Sequence, residues 1–311
     1  MQQWAKNLPG FYKWYYFCHF TKVLNFNQYI AASPAQFRQL NCGDSLFTVY
    51  TCGLPDKFID LWSHNNYIVY VASGKKIWHT AQGSFELNAG DCKFIKRGAA
   101  IVEQFFEKEF CFYLFFVSDN FICDALKTKS APLQGTQKEI KQVIDIESSE
   151  TVHSFFTSML PYFNAPQPPD AALLHLKFTE LILTIADNKA NKDLLCYFCS
   201  LLHQPQAVTL QHVMETNYSF NLKLEDYARL SYRSLSAFKR DFEQLYHTTP
   251  GKWLMEKKLH HAKQLITVTG KTISEAAFES GFENSSHFSR AFRKQFGTSP
   301  SLLKKNSISL N

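Results

Sequence analysis

A repeat with a period of 50 residues constrains the fold of this 311-residue chain more than any other feature. Residues 231–250 read SYRSLSAFKRDFEQLYHTTP, and residues 280–300 read SGFENSSHFSRAFRKQFGTSP. When the central phenylalanines are aligned, the matched pairs are Phe238 with Phe288, Arg240 with Arg290, Phe242 with Phe292, Tyr246 with Phe296, Thr248 with Thr298, Thr249 with Ser299 and Pro250 with Pro300. A repeat of this length indicates one supersecondary unit that is used twice.

The C-terminal part of the second copy has the pattern of an amphipathic helix. Phe288, Phe292 and Phe296 recur every four residues, so they line one helical face. Asn284 or Ser285 is a suitable N-cap in front of them. The pattern therefore predicts a helix that buries its phenylalanines and exposes its polar face.

A shorter helix is predicted just before it, from about Thr272 to Ser280. Ile273, Ala276 and Ala277 form its buried side. Gly281 supplies the left-handed residue that ends it. A helix, a glycine turn and a second helix are the pattern of a helix-turn-helix.

The first copy repeats this pattern with one difference. Leu224, Tyr227 and Ala228 predict the short helix, and Ser234 is the predicted N-cap of the next one. The turn contains Tyr232 and no glycine, so a residue with a side chain has to adopt a positive φ there, at some cost.

The outward-facing residues of the two second helices are candidates for DNA contacts, because the N-terminal part of a recognition helix reaches base edges in the major groove. Arginine can bind guanine through two hydrogen bonds, and serine can donate or accept one. A pair of ordinary amphipathic hairpins is the alternative, but it does not explain an arginine at the same place in both copies. The candidates are Ser236, Ala237, Lys239 and Arg240 in the first copy, and Ser285, Ser286, Ser289, Arg290 and Arg293 in the second.

Charge is distributed in agreement with this prediction. Residues 207–311 carry 15 Lys and Arg against 9 Asp and Glu, whereas residues 1–206 carry 18 of each. A basic segment beside a neutral one is the electrostatic pattern of a DNA-binding domain joined to another module.

The segment TISEAAFESGFENSSHFSRAFRKQFGTSP closely resembles the signature of the AraC/XylS family of bacterial transcription regulators. WLMEKKLHHAKQLI, residues 253–266, resembles the helix that joins the family's two helix-turn-helix units. The resemblance covers about residues 207–303 and implies an all-α DNA-binding domain of about seven helices. Two recognition helices would enter successive major grooves about 34 Å apart. The sequence departs from the family at Tyr232, where glycine is usual, and at Lys257, where arginine is usual.

The resemblance also implies a function. Most members of the family activate transcription by contacting RNA polymerase, so we expect a sequence-specific activator whose N-terminal domain senses an effector. The sequence does not say whether that effector is a small molecule or a protein. A metal-dependent cupin enzyme or a cysteine-based alkyl acceptor, fused to a DNA-binding domain, is a weaker alternative.

Residues 41–125 have the pattern of a small β domain, with short runs rich in aromatic and β-branched residues between turn residues. This predicts a small barrel or jelly roll. The framework of Gly83, Gly90-Asp91 and Gly98 resembles that of cupin-like sensor domains, which commonly precede this family's DNA-binding domain. The predicted strands are 45–52, 68–72, 75–79, 84–87, 92–96, 102–106 and 110–117.

A metal site is not expected in this β domain. His79 and Glu86 have no second close histidine, so His79 is interpreted as structural, and neither metal nor cofactor is predicted. The aromatic residues that can line a pocket, among which the sequence does not distinguish, are Trp62, Tyr67, Tyr70, Trp78 and Phe94.

Three helical segments follow, at 152–163 (with helical spacing up to Pro161), 171–186 and 193–202. Leu174, Phe178 and Leu181 form an apolar stripe. We predict that the stripe makes a homodimer; the alternative is that these helices pack on the β domain.

The predicted architecture is α+β with several domains. Residues 1–130 form a cupin-like sensor domain, in which 1–40 is an N-terminal arm or additional helix. Residues 131–206 form a helical dimerisation and linker segment, and residues 207–311 form the DNA-binding domain. No secretory signal or membrane-spanning run is expected, and the eight scattered cysteines, including the CxxC pair Cys196 and Cys199, are interpreted as free thiols of a cytoplasmic protein.

Overall fold

The structure is a computed structural model that describes residues 23–51, 56–105, 110–131, 133, 141–165, 167–203, 210–268 and 271–308. It contains two compact units, one made of residues 24–209 and one that contains residues 210–308. In the described part of the chain, no helix combines the length and the apolar character that crossing a membrane requires.

Two sheets form the β part of the first unit. The five-stranded sheet has the order β1-β4-β9-β6-β7, and the six-stranded sheet has the order β11-β8-β5-β10-β3-β2. β1 pairs with β4 in parallel, and the other pairs are antiparallel. The strands are β1 Leu24–Asn25, β2 Gln39–Cys42, β3 Ser45–Thr51, β4 Phe58–Ser63, β5 Asn66–Ser73, β6 Lys75–Thr80, β7 Gly83–Asn88, β8 Cys92–Ile95, β9 Gly98–Gln104, β10 Cys111–Val117 and β11 Val143–Ile146.

The predicted α+β architecture with an N-terminal β domain is confirmed. Of the small barrel and the jelly roll that the sequence predicts, a closed barrel is not formed, because the two described sheets remain open and pack face to face. Strand β10 shows why. Its Phe112, Leu114 and Phe116 enter the core between the sheets, while Phe115 and Val117 enter a second core on the opposite face. A strand that is apolar on both faces has to be covered on both sides.

Helices provide this second cover. Those of the first unit are α1 Phe26–Ala31, α2 Asp119–Lys127, α3 Glu150–Asn164, α4 Ala171–Asp187 and α5 Lys192–His203. Residues from α2 to α5 share one core with the six-stranded sheet, so these helices belong to the same compact unit as the strands. Helix α3 continues through Pro161, past the point where helical spacing is expected to stop.

The apolar stripe of α4 does not face a second copy of the chain. Leu174 is 2% exposed, and Phe178 and Leu181 are fully buried against the sheet and the neighbouring helices. The alternative interpretation, that these helices pack on the β domain, is therefore what the structure has. An amphipathic stripe requires a partner, but it does not identify one.

A buried polar network holds α2 and α5 on the sheet. The Asp119 carboxylate accepts hydrogen bonds from Arg97 Nη1 and Asn66 Nδ2, both at 2.6 Å, and from Tyr197 Oη at 2.9 Å. A buried charge is tolerated when its partners compensate for the lost hydration. The network thereby connects the start of β5 and the turn between β8 and β9 to the first and last of the four covering helices.

The aromatic residues predicted to line a pocket do not converge. Tyr67 and Trp78 lie between the two sheets, whereas Tyr70 and Phe94 lie in the helix-covered core. Trp62 is buried beside His64. These side chains therefore serve in packing on different faces, and Trp78 alone among them lines a narrow crevice with Leu24 and Ile59.

Seven helices make up the described part of the second unit, in agreement with the expected number. They are α6 Leu210–Asn217, α7 Leu224–Leu230, α8 Leu235–Tyr246, α9 Pro250–Thr267, α10 Ile273–Glu279, α11 Ser285–Phe296 and α12 Pro300–Ile308. Pro250 at the start of α9 is suited to that position, because the first turn of a helix needs no backbone donor there.

The long helix α9 is common to both helical hairpins. Near its start, Trp253 contacts the rings of Phe242 and Tyr246 in α8. Further along, Leu259 and Ala262 join the core formed by α10 and α11. One continuous helix therefore fixes the two repeats relative to each other.

Lys257 lies on the part of α9 that faces α6. Its Nζ atom lies 2.8 and 2.9 Å from the two carboxylate oxygens of Glu215, and 5.1 Å from the centre of the Trp253 ring. Lysine at this place therefore connects α6 to α9.

Candidate nucleic-acid interface

The second repeat forms a helix-turn-helix from α10 and α11. Thr272 and Glu275 make a capping box at the start of α10, in which each side chain accepts a hydrogen bond from the other residue's backbone. Asn284 caps α11 by accepting from the backbone nitrogens of Ser286 and His287, at 2.8 and 3.1 Å. Of the two N-caps suggested by the sequence, Asn284 is the one used.

Gly281 ends α10 in the left-handed conformation, with φ +83°. A Cβ atom at this position would lie 2.5 Å from the carbonyl oxygen of Ser219 and 3.0 Å from Lys258 Nζ. Lys258 also donates a hydrogen bond of 3.0 Å to the carbonyl oxygen of Gly281. Glycine is thus required here both for its backbone conformation and for the close approach of the segment between α6 and α7.

In the first repeat, formed by α7 and α8, Tyr232 takes the place of this glycine. It adopts φ +54°, which confirms that a residue with a side chain is held in the left-handed region. Its side chain is 52% exposed, so the strain is not offset by burial. Ser234 caps α8 by accepting from the backbone nitrogen of Ala237 at 3.2 Å.

The second turn is one residue longer than the first. The C-cap of the helix before the turn is Ser231 in the first repeat and Ser280 in the second, 49 residues later. The N-cap of the next helix is Ser234 in the first repeat and Asn284 in the second, 50 residues later. The longer turn contains Glu283, whose carboxylate accepts a hydrogen bond from Asn221. This contact brings the second turn against the segment that precedes α7.

The predicted DNA-contacting residues lie on the outer faces of α8 and α11, because Phe238 and Phe242 of α8, and Phe288 and Phe292 of α11, are fully buried on the inner faces. Ala237 and Ser289 are half-buried at the edges of these faces. The exposed members are Ser236, Lys239 and Arg240 on α8, and Ser285, Ser286, Arg290 and Arg293 on α11.

The two outer faces differ in charge. Helix α8 carries two basic and two acidic residues, whereas α11 carries Arg290, Arg293 and Lys294 and no acidic residue. Such a difference changes the general attraction to a phosphate backbone, which grows with the number of cations that neutralise phosphates.

Asp241 gives the first repeat an ionic network that the second does not have. Its carboxylate accepts hydrogen bonds from Arg233 and Arg240 at 3.0–3.1 Å. Hydrogen bonds from Arg233 and then from Arg240 lower the pKa of Asp241. Asp241 is not among the predicted site residues; the signal in the sequence is that its repeat partner is Ala291.

His79 and Glu86 in the first unit have protein partners. His79 Nδ1 lies 2.7 Å from Ser84 Oγ, and His79 Nε2 lies 3.3 Å from Glu103 Oε2. Glu86 forms an exposed ion pair with Lys75 at 2.9 Å. Among the residues that the structure describes, no group of three or more His, Cys, Asp or Glu is arranged to hold a metal ion.

Two helix-turn-helix units on a shared helix, with exposed polar outer faces of which the second is basic, define a double helix-turn-helix DNA-binding domain. Family models agree with this assignment. The model described as a helix-turn-helix domain matches residues 227–306, and the model described as the ExsA N-terminal regulatory domain matches residues 66–197.

A relative covers most of the chain, and a second covers less than half of it. The virulence regulon transcriptional activator VirF of Yersinia enterocolitica is 26% identical over 239 residues, which are 76% of this chain and 87% of VirF. The HTH-type transcriptional regulator ExsA of Pseudomonas aeruginosa is 31% identical over 134 residues, which are 43% of this chain and 47% of ExsA. A crystal structure of apo ToxT from Vibrio cholerae aligns with 85% of this chain and 97% of its own, at 13% identity and a TM-score of 0.40.

The chain belongs to the AraC family of transcription regulators, with an N-terminal regulatory domain of the ExsA type. It is a DNA-binding regulator of transcription, as its relatives are, and not an enzyme.

Proposed function

We propose that this chain is a cytoplasmic transcription activator that binds a two-part DNA site with both recognition helices. The observation that carries the proposal is the pair of exposed polar faces on α8 and α11, fixed relative to each other by α9. Helix α8 would present Ser236, Lys239 and Arg240 to one major groove, with Ala237 packed close to it. Helix α11 would present Ser285, Ser286, Ser289, Arg290 and Arg293 to the next.

Activation is supported by similarity. VirF, which covers most of the chain, is named as a transcriptional activator. An activator of this kind works by contacting RNA polymerase, and it has to reach the chromosome, which in a bacterium lies in the cytoplasm. Buried free thiols at Cys92, Cys123 and Cys199 are compatible with that reducing compartment.

We infer that a protein partner, rather than a small molecule, controls the N-terminal unit. The described core between the sheets is filled with aromatic side chains that are 0–2% exposed, including Tyr67, Trp78 and Phe112. The crevice lined by Leu24, Ile59, Trp78 and their neighbours has a cavity volume of only about 10 Å³. This is far below the usual range of ligand pockets, about 300–1,000 Å³.

We also infer a homodimer, with the helices of residues 150–203 as its contact segment. The buried stripe of α4 is not available for it, but the outer faces of α3 and α4 are. Leu160, Leu173 and Leu176 are 37%, 40% and 65% exposed there. Large apolar side chains exposed on one helix face support an association surface.

The test of DNA recognition is selection of bound fragments from a random DNA pool with the full-length protein, at two salt concentrations. We expect one enriched motif with two half-elements about one helical turn apart. Binding that has no sequence preference at either salt concentration would overturn the proposal, because phosphate attraction alone gives that behaviour. A single enriched half-element would restrict base recognition to one helix.

A further inference from the structure

The side chain of Arg240 is held by a fixed acidic partner. Asp241 Oδ1 accepts hydrogen bonds from Arg240 Nε at 3.1 Å and from Arg240 Nη2 at 3.0 Å. The Arg240 side chain remains 75% exposed, so the rest of its guanidinium is available to an incoming base. One edge of the group is therefore oriented before DNA arrives.

Asp241 is itself anchored to the turn. Its second carboxylate oxygen, Oδ2, accepts a hydrogen bond from Arg233 Nε at 3.0 Å. Arg233 donates from Nη1 to the carbonyl oxygen of Ser231 at 2.8 Å, and its backbone nitrogen donates to the carbonyl oxygen of Ala228 at 2.9 Å. A chain of contacts thus runs from the backbone of the first turn to the guanidinium of Arg240.

The second repeat has no counterpart of this chain among its described residues. Ala291 occupies the position that corresponds to Asp241. Phe282 corresponds to Arg233, because its backbone nitrogen donates a hydrogen bond to the carbonyl oxygen of Ala277, as that of Arg233 does to Ala228. Arg290 makes one long hydrogen bond, 3.4 Å from its Nε to the carbonyl oxygen of Ser286. Its guanidinium is consequently less restrained than that of Arg240.

We propose that Asp241 is a specificity-determining residue, which positions Arg240 for a base and cancels its general attraction to phosphate. Helix α8 then discriminates between sequences, while α11 supplies most of the electrostatic affinity. The proposal rests on the two-part DNA recognition proposed above. A guanidinium that is already oriented loses less side-chain entropy when it binds a base edge through two hydrogen bonds. A guanidinium whose charge is neutralised by a neighbouring carboxylate contributes less to salt-dependent binding.

A reciprocal exchange of the two repeat positions tests this inference. Asp241→Ala gives the first repeat the residue of the second, and Ala291→Asp gives the second repeat the residue of the first. Each full-length variant is titrated with the selected site, with that site mutated in one half-element, and with unrelated DNA, over a range of salt concentrations. Asp241→Asn, which keeps the shape without the charge, and a thermal unfolding curve of each variant exclude a folding defect as the cause.

For Asp241→Ala we expect tighter binding to unrelated DNA and a salt slope that is steeper by about one. Discrimination at the first half-element falls by about tenfold, while discrimination at the second is unchanged. Ala291→Asp weakens binding to unrelated DNA and reduces the slope by about one. Asp241→Asn follows Asp241→Ala in direction.

Two results would overturn the inference. In one, Asp241→Ala weakens binding to all DNA equally and leaves discrimination intact, so that Asp241 only supports the fold. In the other, discrimination is lost at both half-elements together. If wild-type protein itself does not distinguish the selected site from unrelated DNA, the proposed function fails, and this inference fails with it.

Discussion

Gly281 offers the sharpest test of how the two repeats are joined. Its left-handed φ of +83° is one reason for glycine, and the 2.5 Å that would separate a Cβ atom here from the carbonyl oxygen of Ser219 is a second. Gly297, the C-cap of α11, has a similar φ of +71°, but a Cβ atom there would have nothing within 4 Å. Gly297→Ala is therefore the matched control, since it changes the backbone preference without a contact.

The expected magnitudes separate the two reasons. Alanine in the left-handed region costs about 1–2 kcal/mol, and the smaller entropy of its unfolded chain offsets about 0.4–1 kcal/mol. Gly297→Ala should therefore cost at most about 1.5 kcal/mol. Gly281→Ala adds an overpacking cost of about 1–3 kcal/mol, because the atom it meets belongs to the backbone. We expect a total cost of about 1–4.5 kcal/mol, which is about 1–3 kcal/mol more than that of Gly297→Ala.

Tyr232→Gly is the opposite substitution in the first repeat. Releasing the strain of φ +54° gains about 1–2 kcal/mol, and the conformational freedom of glycine costs about 0.5–1 kcal/mol. We expect a stabilisation of up to about 1.5 kcal/mol, so the same turn position responds with opposite signs in the two repeats.

Native-state hydrogen exchange of the full-length protein measures these changes locally, without requiring the two units to unfold together. Peptides from α10 and α11 report Gly281→Ala and Gly297→Ala, and peptides from α7 and α8 report Tyr232→Gly. Equal costs for the two alanine variants would refute the close contact with Ser219. A destabilisation by Tyr232→Gly would refute the argument from backbone strain.

Three further predictions concern stability, association and DNA binding. Burial lowers the pKa of Lys258 to about 8, so the folded protein releases this proton before the unfolded chain does, and wild-type stability should rise between about pH 8 and 10.5. In chemical denaturation, Lys258→Met should lack about 3 kcal/mol of that rise, and parallel pH profiles would contradict this. Leu174→Ala should cost about 2–5 kcal/mol of stability. Leu176→Ala should cost less than about 0.5 kcal/mol, but it should raise the dimer dissociation constant measured by sedimentation about tenfold. The reverse pattern would mean that the buried stripe of α4 makes the dimer contact. Arg290→Ala should cost about 1–3 kcal/mol on the selected site and relax one base position, while an equal loss on all DNA sequences would mean that Arg290 contacts phosphate.

The sequence located most of the strongly patterned elements. β3, β5, β6, β7, β8 and β10 lie where apolar runs predict strands, and α7, α8, α10 and α11 lie where the repeat predicts helices. β4 (FIDLWS) and β11 (VIDI) are missing from the predicted set, because a short run that contains a carboxylate gives a weak strand signal.

Arrangement was harder to predict than element type. A closed barrel and an open sandwich give the same pattern of strands along the sequence. They differ in whether the edge strands pair with each other, and here β1 and β7 end one sheet while β11 and β2 end the other. The stripe on α4 is equally apolar whether it meets a sheet or a second chain. These choices depend on contacts between residues far apart in the sequence, which periodicity does not contain.

For the candidate site, the repeat predicted the outer faces and the strained turn at Tyr232. It did not predict the ionic chain through Asp241, because the side-chain geometry that joins Arg233, Asp241 and Arg240 depends on how the turn folds. The longer second turn and its contact with Asn221 also required the structure.

The measurement that tests the central claim most directly is the affinity of the full-length protein for a selected two-part site before and after about five base pairs, half a helical turn, are inserted between the half-elements. This insertion moves one half-element to the opposite side of the duplex. Because α9 fixes the two recognition helices, we predict that affinity falls to that of a single half-element, while the same insertion placed outside the site changes nothing. Unchanged affinity after the internal insertion would contradict simultaneous recognition by both units.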